Sequence, residues 1–293
     1  MKTMTGARPQ AKLLIIFLFL SMIWGSDFVA IRFGLAGSPP LIFAGLRYFL
    51  AGVVLLLVLI ACRYGYFHVI GLREILVPVL LGILATMEFG FLYFGMKYVS
   101  AGIASILYNT QPIMVSVLAA MFLKESVTWK KGLAIGLGFI GVLLIFGENL
   151  SDGLVSIGGL LVLLGAFSWA VGTITFKKLV RNENLLWVSS ILLLTSGAFL
   201  IVTSSLFEET TSVVMTFKLA LVIIYLATVC SAFGIAVWFY LLEHYDASQV
   251  SPYLFLVPVF GVLLGWLLLG ETVHLYEAIG IFCVGMSIYI LNK

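Results

Sequence analysis

The chain of 293 residues is 62% hydrophobic and only 10% charged, and its formal net charge at pH 7 is +3. Soluble domains average roughly 25% charged residues, so this composition excludes a soluble globular protein. The partners to expect are a lipid bilayer and a small molecule, and we expect no nucleic acid.

Apolar runs recur along the whole chain, each near the roughly 20 residues that a helix needs to cross the hydrocarbon of a bilayer. Charges, Gly/Pro clusters and polar runs separate them into about ten predicted spans. In chain order these spans are 12–33, 39–61, 75–97, 100–122, 130–147, 154–177, 184–205, 217–242, 247–269 and 275–292. The sequence therefore predicts an all-α membrane protein.

Three ionisable residues lie inside the first three spans, namely Asp27, Arg47 and Glu88. Counting residues from the span ends places all three in one depth band, with Asp27 and Arg47 roughly 10 Å below the outer surface. A charge on a lipid-facing helix costs at least ~2.5 kcal/mol, so partners are expected. Arg47 is predicted to pair with Asp27, Glu88 or both. Such a pair serves either as a gate or zwitterion-binding pair, or as a structural link between helices.

The fourth span contains the unusually polar stretch ILYNTQPIM at residues 106–114. The span is centred near residue 111, so Asn109 lies within about 3 Å of the membrane midplane. A spacing of about 100° per residue puts Tyr108, Asn109 and Pro112 on one helix face, with Gln111 on its flank. Pro112 has no N–H to donate to the carbonyl of Tyr108. The stretch is either the wall of a substrate cavity or a kinked helix whose polar groups bond to neighbouring helices.

Aromatic residues supply further candidates for a cavity wall, although aromatics are also common in membrane cores and interfaces. Together with the polar residues they give nine candidate substrate-binding residues: Trp24, Asp27, Arg47, Glu88, Tyr93, Tyr108, Asn109, Trp169 and Tyr253. The cysteines Cys62, Cys230 and Cys283 stand singly in or beside apolar runs, so they are interpreted as packing residues.

The chain repeats itself, because residues 98–127 align without a gap on residues 244–273. Pro112 falls on Pro258 and Glu125 on Glu271, and both glutamates are expected to cap the helix that follows them. The alignment predicts two five-helix domains, residues 12–147 and 154–292. Because five is odd, the second copy is inverted in the bilayer, and a substrate site is expected near the midplane where the copies meet.

The basic residues are placed asymmetrically if the N-terminus is cytoplasmic. Apart from Arg47 within a span, only Arg32, Lys97 and Lys218 then fall outside, and the other lysines and arginines fall inside. The positive-inside rule therefore predicts a multi-pass plasma-membrane protein with both termini in the cytoplasm.

These residues resemble the drug/metabolite transporter superfamily, and specifically its EamA-type ten-helix exporters. The resemblance covers nearly all of residues 12–292 and rests on WGSDFVAIR in the first span, RYFLAG in the second and the doubled proline-to-glutamate pattern. It implies ten helices and the export of small metabolites, such as amino acids or related compounds, from a central cavity by alternating access. The second copy has Leu192 where the first has Arg47, so polar recognition is weighted to the first half.

Other functions are less well supported by the sequence. The histidines lie at span ends, and no HExxH or GxSxG motif is present, so we expect no enzyme, no metal site and no cofactor. An importer or facilitator of a small polar solute remains the alternative, ahead of a membrane protein that transports nothing. Proton coupling also remains open, with Glu88 the better candidate if Arg47 holds Asp27. The sequence does not choose between a monomer and a homodimer.

Overall fold

A computed structural model describes residues 9–35, 37–62, 71–96, 98–99, 101–146, 156–180, 183–209, 213, 215–269 and 273–293. All regular secondary structure in these ranges is helical. Eight helical segments are long and apolar enough to cross a membrane, and Leu13–Asp27 and Leu275–Leu291 are shorter apolar helices. The prediction of an all-α membrane protein is confirmed.

The helices follow the predicted spans to within about three residues at each end. They are α1 (Pro9–Leu35), α2 (Pro40–Ala61), α3 (Leu72–Gly95), α4 (Ala101–Tyr108), α5 (Gln111–Leu118), α6 (Trp129–Phe146), α7 (Ile157–Leu179), α8 (Leu185–Phe207), α9 (Phe217–Tyr225), α10 (Gly234–His244), α11 (Ala247–Val250), α12 (Leu256–Leu269) and α13 (Leu275–Leu291).

Three of the spans are interrupted rather than continuous α-helix. The fourth span breaks between α4 and α5, where Thr110 is the N-cap of α5 and Pro112 lies in its first turn. Proline is tolerated there because the first N–H groups of a helix have no partner within the helix. A 3₁₀ segment, Ser251–Phe255, separates α11 from α12, and a π-helical segment, Leu226–Phe233, separates α9 from α10.

Close helix pairs hold the bundle together, chiefly α2 with α8, α6 with α13, α3 with α7 and α8, and α1 with α12. Gly52 and Gly197 let α2 and α8 approach closely. A Cβ on Gly197 would lie 2.3 Å from the backbone nitrogen of Phe49, and one on Gly52 would lie 2.6 Å from that of Leu194. Small residues at such crossings are typical of membrane helices, which associate through packing rather than the hydrophobic effect.

The two halves of the chain are tied together at one end of the bundle, here called the basic end, which carries Lys131 and Lys177. The Glu125 carboxylate accepts hydrogen bonds from the backbone N–H groups of Ala247 and Ser248, at 3.0 and 2.8 Å. Lys131 Nζ donates to Ser248 Oγ at 2.9 Å. At the same end, and within the second half alone, Lys177 Nζ donates to the carbonyls of residues 242 and 245, at 2.8 and 2.7 Å.

The prediction that Glu125 caps the next helix is therefore wrong, because it caps α11 in the other half of the chain. Lys124 adopts a left-handed conformation with φ of 58°, which ends the preceding helical segment before Glu125. Its counterpart Glu271 lies outside the described residues. Residues used in the charge prediction also lie outside them, namely Lys2, Arg8, Arg63, Lys97 and Arg181, as do the side chains of Lys12 and Arg32.

Candidate functional site

A cavity of about 120 Å³ lies where helices from both halves of the chain meet. This is roughly ten times the volume that one buried water needs, so the cavity has room for a small solute. Its wall is formed by α1, α2, α3, the broken fourth span, α7, the π-helical segment, α10 and the 3₁₀–α12 region. Seven of the nine candidate residues line it: Trp24, Asp27, Arg47, Glu88, Tyr108, Asn109 and Trp169.

Arg47 and Asp27 form an ion pair at the cavity wall. Arg47 Nη1 lies 2.9 Å from Asp27 Oδ1, and Arg47 Nη2 donates to Asp27 Oδ2 at 3.0 Å. Arg47 Nε donates to Ser231 Oγ at 2.8 Å, and the guanidinium lies 4.9 Å from the centre of the Tyr48 ring. Only the Nη2 contact has hydrogen-bond geometry, so the pair combines one charge-assisted hydrogen bond with a second close contact of opposite charges. Of the predicted alternatives, the structure selects Asp27 as the partner.

Glu88 follows a different pattern, because its carboxyl group interacts with a phenol and not with a cation. Its side chain is 2% exposed, and its Oε1 accepts a short hydrogen bond from the Tyr108 hydroxyl. Within the described part of the chain, Glu88 makes no ion pair. A second cavity of about 30 Å³ also touches Glu88, and it shares Phe89, Trp169 and Ile235 with the larger one. Glu88 thus stands in the wall between two cavities.

The two amide side chains of the broken span are used differently. Asn109 Nδ2 donates to the carbonyl of Ser105 in its own helix at 2.7 Å. Gln111 is 6% exposed and lines the cavity near the Tyr108 hydroxyl, but its Nε2 forms no hydrogen bond of standard geometry. A buried donor without a partner is costly, so a ligand acceptor or water is expected beside it. The sequence placed Gln111 on the flank of the face, whereas the structure places it in the lining.

Three tryptophans form a cluster beside the cavities. The ring centres of Trp24 and Trp169 are 6.2 Å apart, and Trp238 lies 6.1 Å from Trp24 and 5.6 Å from Trp169. Trp24 Nε1 donates to the carbonyl of Cys230 at 3.0 Å, whereas Trp169 Nε1 is buried without a partner. The cluster therefore offers aromatic surface and one further unused donor to a ligand.

Two candidates lie away from the larger cavity. Tyr253 donates its hydroxyl to Asn292 Oδ1 at 2.7 Å and stacks on Phe17 with ring centres 4.4 Å apart. Tyr93 is 4% exposed and lines neither cavity, but its hydroxyl lies near Arg47, behind the wall of the larger cavity. A sequence cannot tell a cavity aromatic from a core aromatic, since both lie in apolar helices.

Several lining residues were not among the candidates. Tyr48 and Phe89 directly follow Arg47 and Glu88 in the sequence, which is a signal that could have found them. The remaining ones carry no such signal: Cys230, Ser231, Ile235, Leu254 and Val257. Among the described residues, no group of three or more His, Cys, Asp or Glu side chains is arranged to hold a metal ion.

Comparison with known proteins identifies the family. The model of the "EamA-like transporter family" matches residues 12–147 and again residues 156–293. The chain belongs to this family. The resemblance seen in the sequence is confirmed, and the protein is a multi-pass membrane transporter of the EamA type.

Relatives named as a transporter and an efflux pump align with this chain over nearly their whole length. The "Uncharacterized transporter YoaV" of Bacillus subtilis is 30% identical, covering 94% of this chain and 96% of YoaV. A "Probable amino-acid metabolite efflux pump" of Salmonella typhimurium is 30% identical, with 93% and 92% covered. A crystal structure at 16% identity superposes with a TM-score of 0.83 over 96% of both chains, which shows a shared fold. Family and relatives indicate a transporter rather than an enzyme.

The ion pair leads to a stability prediction. Arg47→Met removes the guanidinium but keeps much of the side-chain volume, and it leaves the Asp27 carboxylate buried without its cation. Breaking a buried pair in this way costs about 3–5 kcal/mol. We expect a clear loss of thermal stability in detergent, measured by intrinsic fluorescence, and partial recovery in Arg47→Met/Asp27→Asn.

Glu88 provides the matched control for this experiment. Because its carboxyl group bonds to Tyr108 and not to Arg47, adding Glu88→Gln to Arg47→Met gives no comparable recovery. Rescue by Glu88→Gln instead of Asp27→Asn would contradict the pairing. Strict additivity of Arg47→Met and Asp27→Asn would contradict it as well.

Proposed function

We propose that this EamA-like transporter exports small polar metabolites, amino acids or related compounds, through the cavity at the meeting of its two halves. The observation that carries the proposal is the buried Gln111 amide, which lines the cavity with its Nε2 unpartnered. A transporter must bind its substrate and release it, so donors reserved for a ligand are expected in its cavity. The name of the Salmonella relative, "Probable amino-acid metabolite efflux pump", supports this substrate class.

The polar lining suits a solute with a hydrogen-bond acceptor and an apolar or aromatic part. Gln111 Nε2 and Trp169 Nε1 are donors without partners, and a carboxylate or carbonyl oxygen of the substrate would satisfy them. Tyr48, Phe89 and Trp24 supply apolar surface. The cavity of about 120 Å³ favours a metabolite of the size of an amino acid over a large drug.

We further propose that residues 12–147 and 154–292 act as two inverted five-helix domains that move relative to each other. In alternating access, the two domains then switch between two arrangements, one of which opens the cavity to one side of the membrane and the other to the opposite side. The contacts of Glu125 and Lys131 with Ser248 join the two domains at the basic end. In this proposal they close that side of the cavity, and they separate when the transporter opens there.

The basic end is proposed to face the cytoplasm, and cysteine labelling tests this orientation. We expect Met215→Cys, at a position that is 57% exposed, to react with a membrane-impermeant maleimide in intact cells. Lys130→Cys at the basic end should react only after permeabilisation. Both substitutions are made in a variant in which Cys62, Cys230 and Cys283 have been replaced, so that only the introduced thiol can react with the maleimide. The opposite labelling pattern would contradict the orientation.

The cavity is tested by transport in reconstituted vesicles. Gln111→Leu removes a ligand donor without leaving a buried partner unsatisfied, so folded yield should change little. One hydrogen bond contributes about 1 kcal/mol, so transport of amino acids should fall roughly 5- to 10-fold at limiting substrate. Transport is followed both out of and into the vesicles, which separates an exporter from an importer or facilitator.

Asn109→Leu is the matched control because its Nδ2 is already bonded to the carbonyl of Ser105. We expect a smaller loss of transport from it than from Gln111→Leu, although the sequence alone places Asn109 on the predicted cavity face and Gln111 on its flank. Unchanged transport in Gln111→Leu at matched protein levels would contradict the cavity as the substrate path.

A further inference from the structure

We propose that Glu88 binds either a proton or the ammonium group of the substrate, but not both, so that the transporter exchanges amines for protons. This inference rests on the proposed function, since it concerns the same cavity.

The charge balance of the cavities leads to this conclusion. Arg47 is the only lysine or arginine among the described residues that line either cavity. Its guanidinium is bound by the Asp27 carboxylate and by Ser231, so this pair is already neutral as a unit. The described residues therefore supply no cation to Glu88. An ionised carboxylate in the membrane interior is costly without one, so Glu88 must carry a proton or receive a cation.

The immediate contacts of Glu88 are compatible with both states. The Tyr108 hydroxyl donates to Oε1, and an oxygen of a carboxylate and an oxygen of a carboxylic acid both accept such a bond. Tyr108 is the one side-chain partner of this carboxyl among the described contacts. The other oxygen is thus available either for a proton or for an ammonium donor.

The surroundings of Glu88 also suit an organic ammonium group. Trp24, Tyr48, Phe89 and Trp169 line the same cavity, and aromatic faces attract ammonium ions. The Tyr48 and Phe89 rings stack with their centres 4.0 Å apart. A cation in this cavity would meet one carboxyl group and several aromatic rings, and it would be kept from Arg47 by the Asp27 pair.

The second cavity places Glu88 between two routes. It is lined by Leu81, which lies about 10 Å before Glu88 along α3, and by Thr173, one helical turn from Lys177 at the basic end. It also contains the buried hydroxyl of Ser168. Glu88 is therefore reached from the larger cavity on one side and from a hydroxyl-bearing cavity, directed towards the basic end, on the other.

The other titratable groups around Glu88 do not replace its role. The α7 and α8 residues at the smaller cavity are hydroxyl, aromatic and apolar, with no acid or base among those described. The groups that face Glu88 from its own helix and from the other neighbouring elements are Tyr93, Tyr108, Tyr48, Cys230 and the Arg47–Asp27 pair. Of these, Asp27 is the other carboxyl, and it is held by Arg47.

The exchange balances in atoms and charge. A substrate ammonium enters and pairs with the Glu88 carboxylate, and the carboxyl proton leaves to water on the side that is open. After the substrate is released on the far side, the carboxylate takes a proton from water there. Each amine exported thus carries one proton inward, and no covalent bond to the substrate forms or breaks.

The test counts protons released when amines bind. Calorimetric titrations of the purified full-length protein in detergent are run over a pH series in two buffers of different ionisation enthalpy. The probes are alanine, ethanolamine, which lacks the carboxylate, and lactate, which lacks the amine. We expect alanine and ethanolamine to release up to one proton per molecule bound, most at the acidic end of the series. Lactate should release none.

Glu88→Gln is the decisive variant, because its amide oxygen still accepts the Tyr108 hydrogen bond while it cannot ionise. We expect it to bind amines roughly 10-fold more weakly, a difference of about 1.4 kcal/mol, and to release no proton. Glu88→Asp keeps a carboxyl group and should retain the release with a shifted pH profile. Gel filtration and thermal unfolding verify that both variants are folded.

Three results would overturn the inference: no binding of either amine to the wild-type protein, binding without proton release, or equal release in wild type and Glu88→Gln. Transport in vesicles separates this failure from failure of the proposed function. If amine binding fails in this way while the wild-type protein and Glu88→Gln transport a solute that lacks an amine equally well, the proposed transport function is retained. The proposed exchange of amines for protons at Glu88 is then rejected.

Discussion

Hydrocarbon cannot solvate a charge, and the pairing of Arg47 with Asp27 is how this chain meets that constraint. The pair joins α1 to α2, and the contact of Arg47 Nε with Ser231 adds the π-helical segment of the second half. Two consecutive helices of the first half and a segment of the second half are thus fixed around one guanidinium. Because Asp27 satisfies Arg47, Glu88 is left with a phenol as its partner, and the chemistry of the cavity follows from that difference.

The interrupted helices surround the same cavity. Breaking the fourth span between α4 and α5 brings Tyr108, Asn109 and Gln111 into the lining together, and the π-helical segment contributes Ser231. Irregular backbone at membrane depth is tolerated only where it is buried in protein or lines a water-filled space. The positions of these interruptions, together with the cavity between them, support a path for polar solutes at this level of the bundle.

Much of the fold could be predicted from the sequence, because bilayer thickness sets the length of a membrane span and the apolar runs of the sequence have that length. The interruption near Pro112 was also foreseen, since proline removes a helix hydrogen bond. The position of Gln111 was not. A spacing of 100° per residue assumes a continuous helix, and the break at Asn109 and Thr110 changes the direction of the residues that follow it.

Contacts between segments that are distant in the chain could not be predicted from the sequence. The partner of Arg47 was left open because it depends on how helices are rotated, and the glutamate at position 125 caps α11 rather than its own neighbour. Ser231 gives no signal within an apolar run, and Tyr253 looks like a cavity aromatic although its hydroxyl is bound by Asn292. Local patterns thus identified the elements, whereas the choice among side-chain partners required three-dimensional packing.

The most direct test of this account is the protonation of the two buried carboxyl groups, measured by infrared difference spectroscopy of the purified protein as the pH is raised. The account predicts a protonated-carboxyl band that disappears with rising pH and is absent in Glu88→Gln. The band should persist in Asp27→Asn, because the account assigns the ionised form to Asp27 in its pair with Arg47. A band that survives in Glu88→Gln, or one that is lost in Asp27→Asn, would contradict it.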